Sequence, residues 1–189
     1  MRMGSVIQFE QHAVAALRDR LGAAEIARAD LLAYARGHIG AVATIHEAVI
    51  DALEADSFDA LVAVVTRQWP SRLGLDAVAM ALIVGDQGFR IDTHGVEALE
   101  PALVERALAS IDSVALRAVG RGHPLFGTPA AAIRAEALIG LDSPAPYPRG
   151  LLLLGHAGEQ PEASDEAAQL LEFLGASLAA MLRRWARPD

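Results

Sequence analysis

Residues 136–141 read Glu136-Ala137-Leu138-Ile139-Gly140-Leu141, and residues 150–155 read Gly150-Leu151-Leu152-Leu153-Leu154-Gly155. Both runs predict strands. The first strand is expected over Arg134–Leu141 and the second over Leu151–Gly155. Between them, Asp142–Arg149 holds Pro144, Pro146 and Pro148. Proline fixes φ and lacks an N–H, so this segment predicts a turn. Two strands joined by so short a connection pair antiparallel.

Working outward, Ser164 or Asp165 is placed to cap a final helix reaching about Trp185. Its apolar stripe is Leu170, Leu171, Phe173, Leu174, Leu178 and Leu182. Upstream, Gly120–Pro129 is a Gly/Pro loop, and Ser113–Val119 is a strand with Val114, Leu116 and Ala118 on one face and Arg117 on the other. A helix is expected over Val96–Ala109. Ala77–Val84 predicts a central strand apolar on both faces. Gly85–Gly88 is a turn, and Phe89–His94 alternates, with Phe89, Ile91 and Thr93 on one face and Arg90, Asp92 and His94 on the other. A further helix is expected over Phe58–Trp69, capped by Asp56 or Ser57 and stopped by Pro70.

Residues from about Ser5 to Ala55 carry helical periodicity. Positions 7, 10, 14, 17, 21, 24, 28, 31, 35, 38, 42, 45, 49 and 52 form a seam interrupted by Glu10, Arg28 and His38. The seam predicts pairing with a second subunit; the alternative is two amphipathic helices packed on their own domain. The division is therefore a long N-terminal helix over 1–55 and an α/β (α+β) domain over 56–189, an antiparallel sheet flanked by helices.

Composition removes several chemistries. The 189 residues include no Cys, Lys or Asn, and all 16 basic residues are Arg. Disulfides, thiolate nucleophiles, Cys-based zinc sites, Schiff-base lysines and a P-loop lysine are excluded. A net charge of −8 argues against nucleic-acid binding. The basic C-terminal cluster Arg183, Arg184 and Arg187 with Trp185 reads first as a helix end complementing its dipole. No apolar run approaches the roughly 20 residues of a membrane span. No secretory h-region is seen either, so a cytoplasmic protein is expected.

The two strand motifs above, the Phe126-Gly127 pair before them and the Leu-rich closing helix resemble GAF domains. More closely, they resemble an uncharacterised bacterial family of GAF-like proteins, classed as a domain of unknown function with a long N-terminal helix. The chain departs from that family in carrying His156 where Ser is common. The Asn-Lys-Phe-Asp signature of cyclic-nucleotide GAF domains needs Asn and Lys, and bilin attachment needs Cys; none is present. The resemblance implies a sensor-like scaffold without those two ligand modes. It also implies a ligand territory of Arg90, Arg117, His123, Phe126, Arg134 and Glu136. If the three arginines share a face, they could clamp an anionic group bidentately. Otherwise each meets solvent or a carboxylate such as Glu136 or Asp92.

Enzyme motifs fail one by one. His46-Glu47 lacks the second His of a zinc-protease motif, since position 50 is Ile50. Gly122–Thr128 has P-loop glycine spacing without the lysine, and Gly120-Arg121-Gly122 lacks the third glycine of a dinucleotide loop. No Gly-x-Ser-x-Gly elbow occurs, and no His pair has metal-ligand spacing. The expectation is a non-catalytic, dimeric sensor or binding module for a small anionic ligand, with no cofactor or metal. The alternative is a protein-interaction scaffold, with an unidentified protein partner, whose pocket is filled by its own side chains. An enzyme is the third reading.

Overall fold

The computed structural model describes Gly22, Glu25, Ile26, Arg28 and residues 39–158 and 164–185. The proposed cap Ser5, most of the seam before position 39, and Arg187 lie outside the described residues. The chain forms two compact units, Met1–Ala43 and Thr44–Asp189. In the first, the described residues are helical.

The second unit opens with helical residues 44–53 (α1). Ser57 then caps α2 (Phe58–Ala63), its Oγ accepting from Ala60 N–H at 3.1 Å. A π turn follows over Val64–Gln68, then α3 over Trp69–Leu73. Pro70 therefore does not stop the helix. The π turn shifts the hydrogen-bond register, so Trp69 N–H reaches Val64 O. Pro70 falls in the first turn of α3, where a missing N–H leaves no bond unmade. The helix ends at Gly74, whose φ of 65° is the left-handed conformation that a C-terminal glycine supplies.

Six strands follow the helices: β1 (Ala77–Val84), β2 (Gln87–Asp92), β3 (Gly95–Leu99), β4 (Val114–Ala118), β5 (Ala135–Leu141) and β6 (Arg149–His156). Helix α4 (Pro101–Leu108) lies between β3 and β4, and α5 (Asp165–Trp185) closes the unit. The sheet order is β3-β2-β1-β6-β5-β4, with every neighbouring pair antiparallel. An antiparallel sheet flanked by helices, the expected fold class, is thus observed.

Strand β3 corrects the expected helix over Val96–Ala109. Val96, Glu97 and Ala98 pair with Ile91, Arg90 and Phe89. The helix starts only at Pro101, after Glu100 in extended backbone (ψ 121°). A residue preceding proline disfavours the helical region, so the boundary sits there.

The two sheet faces have separate cores. On one, Val78, Met80 and Leu82 of β1, Ile139 of β5 and Leu152 of β6 pack with α1, α2 and α5. On the other, Ala77, Ala79 and Ala81 with Leu138, Leu151 and Leu153 pack with Val104 and Ala107 of α4 and with the loop after β4. Helix α5 approaches β5 closely at Gly175, where a Cβ would stand 2.4 Å from Ile139 Cγ2. Ser164 caps this helix, accepting from Ala167 N–H at 3.1 Å.

Residues 44–55, assigned by periodicity to the N-terminal segment, belong to the second unit. Ile45, Ala48, Val49, Ala52 and Ala55 are buried in the α5-side core. Trp69 Nε1–H donates to Ala48 O at 3.1 Å. Seam positions 45, 49 and 52 therefore face their own sheet, as the alternative of ordinary amphipathic packing requires.

Candidate functional site

The expected ligand face is the α4 side of the sheet. Strand alternation puts Arg90 of β2, Arg117 of β4 and Glu136 of β5 on this face, because Arg90 is opposite Ala81, and Arg117 is opposite Glu136. The segment from Val119 to Arg134 crosses above it as a strap. Its ends meet where Val119 N–H donates to Arg134 O (2.8 Å) and Gly122 N–H donates to Ala130 O (2.9 Å). Two short 3₁₀ turns, Pro124–Phe126 and Thr128–Ala131, fold it inward.

The strap fills the space beneath itself. Leu125, Phe126, Ala130 and Ile133 are all buried in the core on this face. The packing leaves no room for a methyl group at two backbone positions. A Cβ on Gly155 would stand 2.5 Å from Ile133 Cδ1 and 3.1 Å from Phe126 Cε1, and one on Gly122 would stand 2.8 Å from Ile133 Cβ. At the two distances under 3.0 Å, Ile133 would have to shift to admit the methyl group.

Three ion pairs, in two clusters, latch the strap from opposite sides. On one, the buried Glu136 carboxylate accepts from Arg117 Nε–H at 2.7 Å and from His123 backbone N–H at 2.6 Å. His123 Nδ1 in turn accepts from Leu125 N–H at 3.2 Å, capping the first 3₁₀ turn. The His123 imidazole is held below its ordinary pKa by burial first. Glu136 opposes that shift and Arg117 adds to it. On the other side, Arg90 pairs with Asp92 (Nε to Oδ2, 3.1 Å) and with Glu97. Its guanidinium lies directly on Gly127, where a Cβ would stand 2.5 Å from Arg90 Cζ. Gly127 has φ 69° and ψ −132°, a conformation open to glycine.

Arg134 stands apart from this arrangement. It is exposed and donates to Ala131 O and Ile133 O, both at 2.9 Å. Arg90 and Arg117 share a face but are separated by four inter-strand steps, roughly 19 Å at the usual strand spacing. The three arginines therefore do not converge on one small anionic group. Each of the two on the face is paired with a carboxylate of its own or the adjacent strand. Sequence reasoning missed Glu97 and Ile133 and the packing roles of Gly127 and Gly155; Leu125 and Phe126 are the side chains that the scaffold alternative puts in the pocket, and both are buried here. The Phe126-Gly127 pair was the only one of these signals visible in the sequence, and it marked the strap without revealing what it covers.

Among the described residues, no group of three His, Asp or Glu side chains could hold a metal ion. Among the same residues, no helix is long and apolar enough to cross a membrane.

Residues 1–187 match the family described as protein of unknown function, DUF484. The chain belongs to the DUF484 family. No curated protein matches it in sequence. Solved structures place this DUF484 chain among GAF folds. The GAF domain of a phosphoenolpyruvate-protein phosphotransferase from Coxiella burnetii superposes with a TM-score of 0.56 at 13% identity, over 78% of this chain and 95% of that one. A bacteriophytochrome from the photosynthetic bacterium R. palustris gives 0.55 at 14% identity, over 75% of this chain and 37% of that one. The chromophore-binding domain of that bacteriophytochrome gives 0.52 at 13% identity, over 72% and 59%. The DUF484 chain thus corresponds to less than two thirds of the length of the phytochrome chains it resembles. At these identities, the likeness is one of fold.

Proposed function

We propose that this chain is a non-catalytic GAF-fold module that works through protein contacts, with the small-molecule side of its sheet occupied by its own strap. The observation that carries this reading is the packing of Leu125, Phe126 and Ile133 against the sheet, tight enough to exclude a methyl group at Gly155 and Gly122. The titratable side chains of this face support it too. Glu136, Arg117, Arg90 and Asp92 hold the strap and each other. Their hydrogen bonds are thus spent on holding the strap rather than on a vacant site.

A ligand-sensing reading keeps one specific support: Arg117 leaves 43% of its side chain exposed at the edge of the strap, where an incoming anion could reach it. Native mass spectrometry separates the two. The expected native mass is a bare integral multiple of the 19.9 kDa chain, unchanged per chain on denaturation. An excess that vanishes on denaturation would mean a co-purifying ligand, and would replace the scaffold reading with the sensor reading.

A further inference from the structure

Among the described residues, the outer side of the helical layer carries an apolar face with no partner. Helices α1 and α5 run side by side in the same direction. His46 meets Phe173 edge-on, with ring centroids 5.8 Å apart. Seven residues further along, Leu53 shares a groove of about 280 Å³ with Ala180, Arg184 and Trp185. Ile50, Leu53 and Phe173 are each about half exposed on this side (53%, 54% and 46%). Isolated surface leucines need no explanation, but three large exposed apolar side chains on two neighbouring helices, Leu53 among them lining a groove, do.

Charge says what covers it. Along α5, Glu172, Ala176, Ala180 and Arg184 recur every four residues, and all four are exposed. Residues so spaced form one ridge of a helix. Glu172 accepts from the Ser113 hydroxyl and has no cationic partner among the described residues. Arg184 stacks on the Trp185 ring at 5.3 Å and has no anionic partner among them. The two lie twelve residues apart on one helix, roughly 18 Å, so they cannot meet within a chain. In a second copy running antiparallel about a two-fold axis at position 178, Glu172 falls opposite Arg184 of the partner subunit. The same register sets Ala176 opposite Ala180 of the partner subunit. Small residues at the centre let the helix axes approach, and opposite charges close both ends. A parallel pairing would put Glu172 against Glu172 and Arg184 against Arg184.

We propose that a second copy of this chain docks on the outer face of α1 and α5, antiparallel and isologous, with Glu172 and Arg184 forming reciprocal ion pairs across the two-fold axis. The inference stands whether or not the strap admits a ligand. The test is sedimentation equilibrium of four full-length chains: wild type, Glu172→Arg, Arg184→Glu and the doubly exchanged chain. All the changed residues are exposed, and circular dichroism checks that each chain stays folded. The wild type is expected to be dimeric at micromolar concentration. Each single exchange breaks two symmetric pairs and should weaken association at least about tenfold, given the size of charged hydrogen bonds. The double exchange should restore it. A monomeric wild type, single exchanges that leave the dissociation constant unmoved, or a double exchange as weak as the singles would each overturn the proposal.

Discussion

At the scale of single residues, the closed state of the α4-side face rests on positions that have no side chain. Gly155 lets Ile133 and Phe126 settle on β6, because a Cβ there would overlap Ile133 Cδ1 at 2.5 Å. Overpacking of this kind typically costs about 1–3 kcal/mol. Gly155→Ala should therefore destabilise the fold by that amount in chemical denaturation. Adding Ile133→Val removes the overlapping Cδ1 and should recover most of the loss. If the two changes are simply additive, the contact is not the cause. None of this was legible in the sequence. A glycine after four leucines reads as the end of a strand, and the residue that needs its bare backbone lies 22 positions away across a loop. The identities of the polar site residues were legible, but their partners were not. Arg90 meets Glu97, and Arg117 meets Glu136, only because β2–β3 and β4–β5 pair in one particular register, which is a tertiary outcome.

At the scale of elements, the strap is held by groups whose charge depends on pH. His123 accepts Leu125 N–H through Nδ1, so the proton of the neutral ring sits on Nε2 and protonation of Nδ1 removes the cap. Burial lowers its pKa below the ordinary 6.5, with Glu136 opposing and Arg117 reinforcing. The unfolded chain thus binds the proton more readily than the folded one. Stability from neutral His123 is fully present above pH 6.5 and is lost as pH falls through the lowered folded value. An NMR titration of the ring should give a midpoint below 6.5. His123→Gln should flatten the pH dependence of unfolding on the acid side of neutrality. A midpoint at or above 6.5 would show that Glu136 outweighs burial. The other elements divide by how local their determinants are. The both-face-apolar strand β1, the apolar runs of β5 and β6 and the capped α5 followed from composition and caps alone. Strand β3 did not, because Val96-Glu97-Ala98-Leu99 fits helical periodicity as well as strand alternation, and only the edge of β2 decides between them. Pro70 was read as a stop because a π turn, which moves the hydrogen-bond register by one residue, leaves no mark in the sequence.

At the scale of the whole molecule, periodicity found the face of the N-terminal helix but not its occupant. A seam at 45, 49 and 52 is equally apolar whether it meets another subunit or its own sheet, and here it meets the sheet. The compact unit consequently begins at Thr44, inside what the sequence presents as a separate helical segment, and the difference can be measured. A fragment of residues 44–189 retains Ile45, Ala48, Val49 and Ala52 in the core, and keeps the Ala48 carbonyl that accepts from Trp69 Nε1–H. A fragment of residues 56–189 loses all of them and uncovers Trp69 and Met181, which share that core. Burial of Ile45 and Val49 contributes about 1.5–3 kcal/mol each, and the indole hydrogen bond about 1 kcal/mol. The combined loss is about 4–7 kcal/mol, against a total stability of about 5–15 kcal/mol for a domain. The longer fragment should therefore unfold in a single cooperative transition by urea denaturation. The shorter one should be unfolded, or nearly so, at room temperature, with its Trp69 emission shifted to the red of the longer fragment's. Equal stability of the two would mean that α1 merely lies on the surface of the sheet domain, and the compact unit would then begin at residue 56.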